Sequence, residues 1–127
     1  MKRNLKEESE RLKRFGEYLY RLRVKRGLSM LQLGARLGVN VTYISLVERG
    51  LREPDDDFVV NTAKFFGQKE NLLFGMLERA PLNVRIEVEN NMLLQKAINK
   101  IITSDCSAKK KEDLYLAFYR MCKKLLA

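Results

Sequence analysis

The side chains whose types and spacing suggest a chemistry lie between Met30 and Arg49, in the stretch MLQLGARLGVNVTYISLVER. That chemistry is non-covalent: a short helix carrying exposed polar side chains, presented outward to a groove. Apolar residues fall at Leu33, Leu37, Val39, Ile44 and Val47, Gly38 stands at a corner, and Gly34 sits where two helices would approach closely. Two short helices crossing steeply need this arrangement, with a small residue at the crossing, a glycine at the turn and apolar plugs on the inner faces. Such a unit has no pocket of its own, but the major groove of DNA admits one helix.

Charge points the same way. The 127 residues hold 25 Lys and Arg against 16 Asp and Glu, a formal net charge of +9, which favours anionic partners, nucleic acid foremost. Arg21, Arg23, Lys25 and Arg26 crowd the end of one expected helix, just ahead of the helix pair. They read either as a solvated helix end or as a phosphate-facing group, and their place beside the pair favours the second. Histidine is absent and the two cysteines are Cys106 and Cys122, which removes His-based catalytic triads and leaves too few soft ligands for structural zinc. Neither cysteine suggests a chemistry: Cys122 reads as a small hydrophobe on a helix, Cys106 as a loop residue, and a disulfide between them is not expected. The expectation is a non-enzyme with no metal and no cofactor. No apolar run approaches the roughly 18 residues of a membrane span, and the charged start MKRNLKEESERLKRF lacks the apolar core of a signal peptide. A cytoplasmic chain without a membrane partner is expected.

The elements that must position the helix pair are legible from periodicity. Leu12, Phe15, Leu19 and Leu22 predict a first helix over about 6–26, ended by Gly27. Ser29 is a good N-cap for a helix from Met30 to Leu37, with Gln32 at the spacing of a capping box. Asn40 can cap a third helix, Val41 to about Glu48, which Gly50 closes. Pro54 and the run Asp55, Asp56, Asp57 predict the start of a fourth helix ending at Gly67; the acidic run is read as capping rather than as a metal site. A fifth helix is expected over about 70–79, before Pro81. Val84, Ile86 and Val88 alternate with charged residues at strand period, yet the same letters could open a helix, so residues 82–89 stay open. Two further helices are expected over about 92–103 and 112–126, joined by the loop TSDCSAKKK. On the last, Leu114, Phe118, Met121, Cys122 and Leu125 form an apolar face that Tyr115, Tyr119 and Leu126 widen, which suggests packing on the first domain or self-association.

Residues from about 15 to 81 resemble the Cro/C1-type helix-turn-helix repressor family, also called the xenobiotic-response-element family. The likeness is carried by FGEYLYRLRVKRGLS, LGARLGVNVTYISLVERG, the following REP and a fourth helix ending in AKFFG. It implies an all-α chain: a five-helix DNA-binding domain over residues 1–80, followed by a small, mainly helical dimerisation and regulatory segment over 81–127. It also implies base-reading roles for Val41, Thr42, Ser45 and Leu46, and phosphate or flanking roles for Arg23, Arg26, Ser29, Met30, Asn40, Tyr43, Arg49 and Arg52. Tyr43 reads equally as a phosphate neighbour and as half-buried packing. Glu48 reads as structural, capping or pairing near Arg49, because a carboxylate facing DNA is repelled. The sequence departs from the family at Met30, where many members place a glutamine that braces the recognition helix, and at Gly34, where alanine is usual.

The implied function is a sequence-specific, dimeric transcriptional repressor that binds double-stranded DNA at a palindromic operator. Family members that bind palindromes need two recognition helices about 34 Å apart. Ile98, Ile101, Ile102, Leu114, Phe118, Met121 and Leu125 are the candidate homodimer contacts. The ending KKKEDLYLAFYRMCKKLL bears a faint similarity to tails of stress-response repressors inactivated by a separate metallopeptidase, which adds a regulatory protein partner to the expectations. The alternative function is an antitoxin-like or coactivator-like module that uses the same fold to hold a protein.

Overall fold

The computed structural model describes residues 4–127, and among them every regular element is an α-helix. In chain order these are α1 (Leu5–Lys25), α2 (Met30–Leu37), α3 (Val41–Glu48), α4 (Asp56–Phe66), α5 (Glu70–Met76), α6 (Leu82–Asn90), α7 (Met92–Ile102) and α8 (Ala108–Leu125). They fall into two compact units, one ending at Arg85 and one spanning residues 86–127.

In the first unit the helix ends are fixed by local chemistry. Asn4 and Glu7 form a capping box at the start of α1, Asn4 Oδ1 accepting the Glu7 N–H at 2.9 Å. Ser29 and Gln32 form a second: Ser29 Oγ accepts the Gln32 N–H at 3.0 Å and Gln32 Oε1 accepts the Ser29 N–H at 2.8 Å. Gly38 closes α2 at φ +72°, a left-handed conformation that side chains other than glycine adopt at a cost. Asn40 caps α3 and Asp55 caps α4 through the Tyr43 and Phe58 N–H groups, each at 2.8 Å. Of the acidic run, then, Asp55 caps, while Asp56 pairs with Arg79 and Arg85.

Packing supplies what capping cannot. The eight residues each of α2 and α3 are far short of the roughly 12–15 that make an isolated helix even marginal in water. They persist because Leu33, Leu37, Ile44 and Val47 join Phe15 and Leu19 of α1, Phe58, Val59 and Phe66 of α4, and Leu73 and Phe74 of α5 in one core. Helix α1 packs on α3 and α5, α2 on α3 and α4, and α4 on α5. Gly16 marks the tightest approach: a methyl there would run into the carbonyl oxygens of Val47 and Glu48 at the end of α3. Gly34 is closed upon in the same way by the turn that follows it, with the Val39 carbonyl oxygen 2.6 Å from where a Cβ would stand.

Two expected elements differ, and the stretch left open takes one of its two readings. Helix α5 stops at Met76 rather than near residue 79, because Leu77 is buried and Glu78 takes a left-handed φ of +54°. The turn swings Arg79 onto Glu53 (2.6 Å), Asp56 (2.9 Å) and the Pro54 carbonyl. Residues 82–89 are helical: the ladder starts from the Pro81 carbonyl, which accepts the Arg85 N–H at 3.1 Å. Helix α8 begins four residues before its expected start, since Ser107 caps it by accepting the Lys110 N–H at 3.1 Å. Lys109, Lys110 and Lys111 therefore lie on the helix, and the loop before it shortens to residues 103–107.

The second unit holds the C-terminal part of α6, then α7 and α8, and none of its residues is buried. Asn91 caps α7 by accepting the Leu94 N–H at 2.9 Å. Among the described residues no helix is long and apolar enough to cross a membrane.

Candidate nucleic-acid interface

Helix α3 divides cleanly between core and surface. Ile44, Val47 and Glu48 are buried; Val41, Thr42 and Arg49 are exposed; Ser45 and Leu46 are half-exposed. Thr42, Ser45 and Arg49 stand at i, i+3 and i+7, so they line one side of the helix. All four expected base-reading positions thus retain accessible surface, two of them with hydroxyl groups and two with apolar groups that can meet a thymine methyl.

The helix is clamped from behind. Arg23 of α1 reaches Glu48 through two parallel hydrogen bonds, Nε to Oε2 at 2.6 Å and Nη2 to Oε1 at 2.9 Å, while Nη1 donates to the Leu28 carbonyl at 2.9 Å. The Arg23 and Glu48 side chains are only 10% and 3% exposed, and the hydrogen bonds that Arg23 donates to Glu48 hold the guanidinium's affinity for its proton above the ordinary arginine value. This corrects two expectations. Arg23 does not stand with the exposed basic group at the end of α1, and Glu48 pairs with Arg23 rather than near Arg49. A charge run suggests a surface, but here one member satisfies a buried carboxylate 25 positions away.

The remaining phosphate or flanking candidates divide by environment. Arg49 and Arg52 are exposed, and Ser29 and Asn40 are exposed but spend their side-chain oxygens on capping. Met30 is half-buried against the core, where a hydrogen-bonding side chain would stand in many family members. Arg26 lies across the faces of Phe65 and Phe66, 5.3 and 5.2 Å from their ring centres, and donates to the Phe65 carbonyl at 3.2 Å. Tyr43 is half-buried: its ring packs 5.1 Å from that of Phe58, and its hydroxyl oxygen accepts the Asp55 N–H at 3.1 Å. Burial pushes its phenol up from the ordinary value, against the opposing pull of the Asp55 N–H and the nearby arginines. Arg52 stacks on that ring, its guanidinium carbon 5.1 Å from the centre.

Beside α3, a second polar cluster joins α1, the loop after α3, and the chain following α5. Arg11 is 2% exposed and bonds Glu53 through both terminal nitrogens (2.9 and 2.7 Å), the Leu77 carbonyl (3.2 Å), and Glu8. Burial pushes Glu53 up, but hydrogen bonds from Arg11 and Arg79 outweigh it and hold the carboxyl below its ordinary range. Hydrogen bonds from Arg85 and Arg79 hold Asp56 low as well. Sequence reasoning missed this cluster, whose directly bonded members are up to 66 positions apart. It missed Gly16 too, although a glycine within the apolar stripe of a helix is a signal of close backbone approach.

In the second unit, Ile98 and Ile101 are half-buried, while Ile102, Leu114, Phe118, Met121 and Leu125 are between 41% and 71% exposed. A surface groove of about 530 Å³ runs past Val88, Met92, Ile98 and Ile102.

A family model described as helix-turn-helix covers residues 19–73. No curated protein matches the chain. A solved structure titled SinR protein/SinI protein complex is 22% identical, covers 87% of this chain and 98% of its own, and superposes with a TM-score of 0.44. With α2, the glycine turn and the outward α3 inside the matched span, residues 19–73 form a Cro/C1-type helix-turn-helix domain, the DNA-binding fold of transcription regulators.

Proposed function

We propose that this chain is a sequence-specific transcriptional repressor that binds a palindromic operator as a homodimer. Its recognition helix is α3. The observation that carries the reading is the exposed side of α3, where Thr42, Ser45 and Arg49 line up over a back face locked by the buried Arg23–Glu48 pair. Thr42 and Ser45 offer hydrogen bonds to base edges, and Val41 and Leu46 offer apolar contact. Arg49 and Arg52 reach phosphate and fix register, with Asn40 and the start of α2 beside them. Residues 81–127 supply dimerisation through the apolar side chains of α7 and α8, so that two recognition helices meet two half-sites about 34 Å apart.

Selection of bound duplexes from a random pool, at stated salt, tests the reading. A two-fold symmetric consensus with half-sites one helical turn apart supports it, and recovery of no consensus overturns it. The mass of the full chain, compared with that of a chain ending after Arg85, tests the tail; equal dimerisation by both refutes its role.

The exposed apolar side chains of the second unit favour a second reading, in which they seat a different protein. Co-purification of a stoichiometric small partner from the native cell would then replace homodimer formation.

A further inference from the structure

We propose that Tyr43 is the positioning residue for Arg52, holding its guanidinium ready for a DNA phosphate. The proposal rests on the DNA-binding reading above. Arg52 lies exposed in the loop between α3 and α4, where an arginine side chain ordinarily samples many rotamers and loses them on binding. Here its guanidinium carbon sits 5.1 Å from the centre of the Tyr43 ring, within cation–π range.

The ring is itself immobilised from three directions. Its backbone belongs to α3, the ring packs at 5.1 Å and 59° on Phe58 of α4, and its hydroxyl holds the Asp55 N–H at 3.1 Å. Asp55 in turn caps α4, so the loop that carries Arg52 is tied at its α4 end to the Tyr43 hydroxyl. Among the described residues Arg52 forms no ion pair. A carboxylate could also have oriented it, but that carboxylate would compete with the phosphate for the same charge. A neutral phenol steers the guanidinium without neutralising it. A phenol is neutral near pH 7, and burial pushes that of Tyr43 further up.

The test measures binding of a random-sequence duplex of about 30 base pairs against salt, because each phosphate contact contributes about 0.9 to the slope of log affinity on log salt. Tyr43→Leu is expected to lower that slope by about 0.9 and the affinity by about fivefold, as Arg52→Ala does. Tyr43→Phe, which keeps the ring, retains the wild-type slope, and Tyr43→Leu added to Arg52→Ala takes nothing further from the slope. A Tyr43→Leu chain with the wild-type slope, or slope losses that add in the double variant, overturns the positioning role. Failure of the unmodified chain to bind any duplex overturns the DNA-binding reading and this proposal with it. Proton NMR of the DNA-free, unmodified chain is independent of how any variant folds. The Arg52 δ-methylene protons are expected upfield of their random-coil position under the Tyr43 ring, and random-coil positions overturn the proposal.

Discussion

The guanidinium of Arg23 and the carboxylate of Glu48 meet through two hydrogen bonds of 2.6 and 2.9 Å behind α3, and both residues are buried. Removing one partner strands the other charge in the core, which costs about 3–5 kcal/mol, whereas replacing both with apolar groups of similar volume is often neutral. Against the roughly 5–15 kcal/mol that holds a domain folded, the single loss is severe. Arg23→Ala and Glu48→Leu should each lower the thermal midpoint sharply, and Arg23→Met with Glu48→Leu should recover most of it. Additive losses in the double variant would show that the pair contributes no mutual stabilisation.

On the exposed side of the same helix the expected effects concern binding, not stability. Thr42→Ala should relax preference at one operator position by about 1 kcal/mol, the low end of a base contact. Arg52→Ala should weaken operator and random duplexes alike. Titrations of both variants on both duplexes, with melting curves unchanged, check the division of labour. Equal losses on both duplexes for both variants would contradict it.

Two glycines should respond oppositely to the same change. In Gly16→Ala the methyl meets the Val47 and Glu48 carbonyl oxygens, so overpacking of about 1–3 kcal/mol outweighs the roughly 1 kcal/mol gained in helix propensity. At Gly75, within α5, nothing lies within 4 Å of the added methyl, and Gly75→Ala should stabilise by about 0.5–1 kcal/mol. Denaturant midpoints of the two variants measure the sign directly.

The carboxylates around Arg11 make stability depend on acid. Glu53 and Asp56 have folded-state values below their ordinary 4.5 and 3.8, so the folded chain prefers them ionised. Their contribution is fully present above those ordinary values and is lost as the pH falls through and below them, from about pH 5 downward. The thermal midpoint should drop over that window, and Glu53→Gln with Asp56→Asn should flatten the drop while lowering the midpoint at neutral pH.

The tail prediction concerns assembly. Phe118→Asp places a charge on the apolar side of α8, at a residue 57% exposed, so the monomer should fold unchanged. On the homodimer reading it should halve the mass in solution and weaken operator binding far more than half-site binding. A dimer that survives would move the interface elsewhere.

What was legible in the sequence was local. Ser29, Gln32, Gly38, Asn40 and Asp55 each act within four residues, so their caps and turns could be read directly. The apolar stripes of α1 to α4 were equally readable because helical period fixes them. The Arg23 role was not, since its partner is 25 positions on and a cluster of basic residues looks the same whether one member turns inward or none does. Residues 82–89 could not be decided because alternation serves a strand and a short exposed helix alike; no residue of α6 is buried to impose a period. At the candidate site, exposure of Val41, Thr42, Ser45 and Leu46 follows from the helix, but the Tyr43–Arg52 stack required knowing where α4 returns.

Arg11, Arg23, Glu53, Asp56 and Tyr43 all keep the same ionisation across the neutral range, and the chain contains no histidine to change its own. Small drifts in acidity around neutral pH therefore leave these contacts behind and beside α3 untouched. On the DNA-binding reading, protonation of these groups is then not what decides when α3 engages a groove.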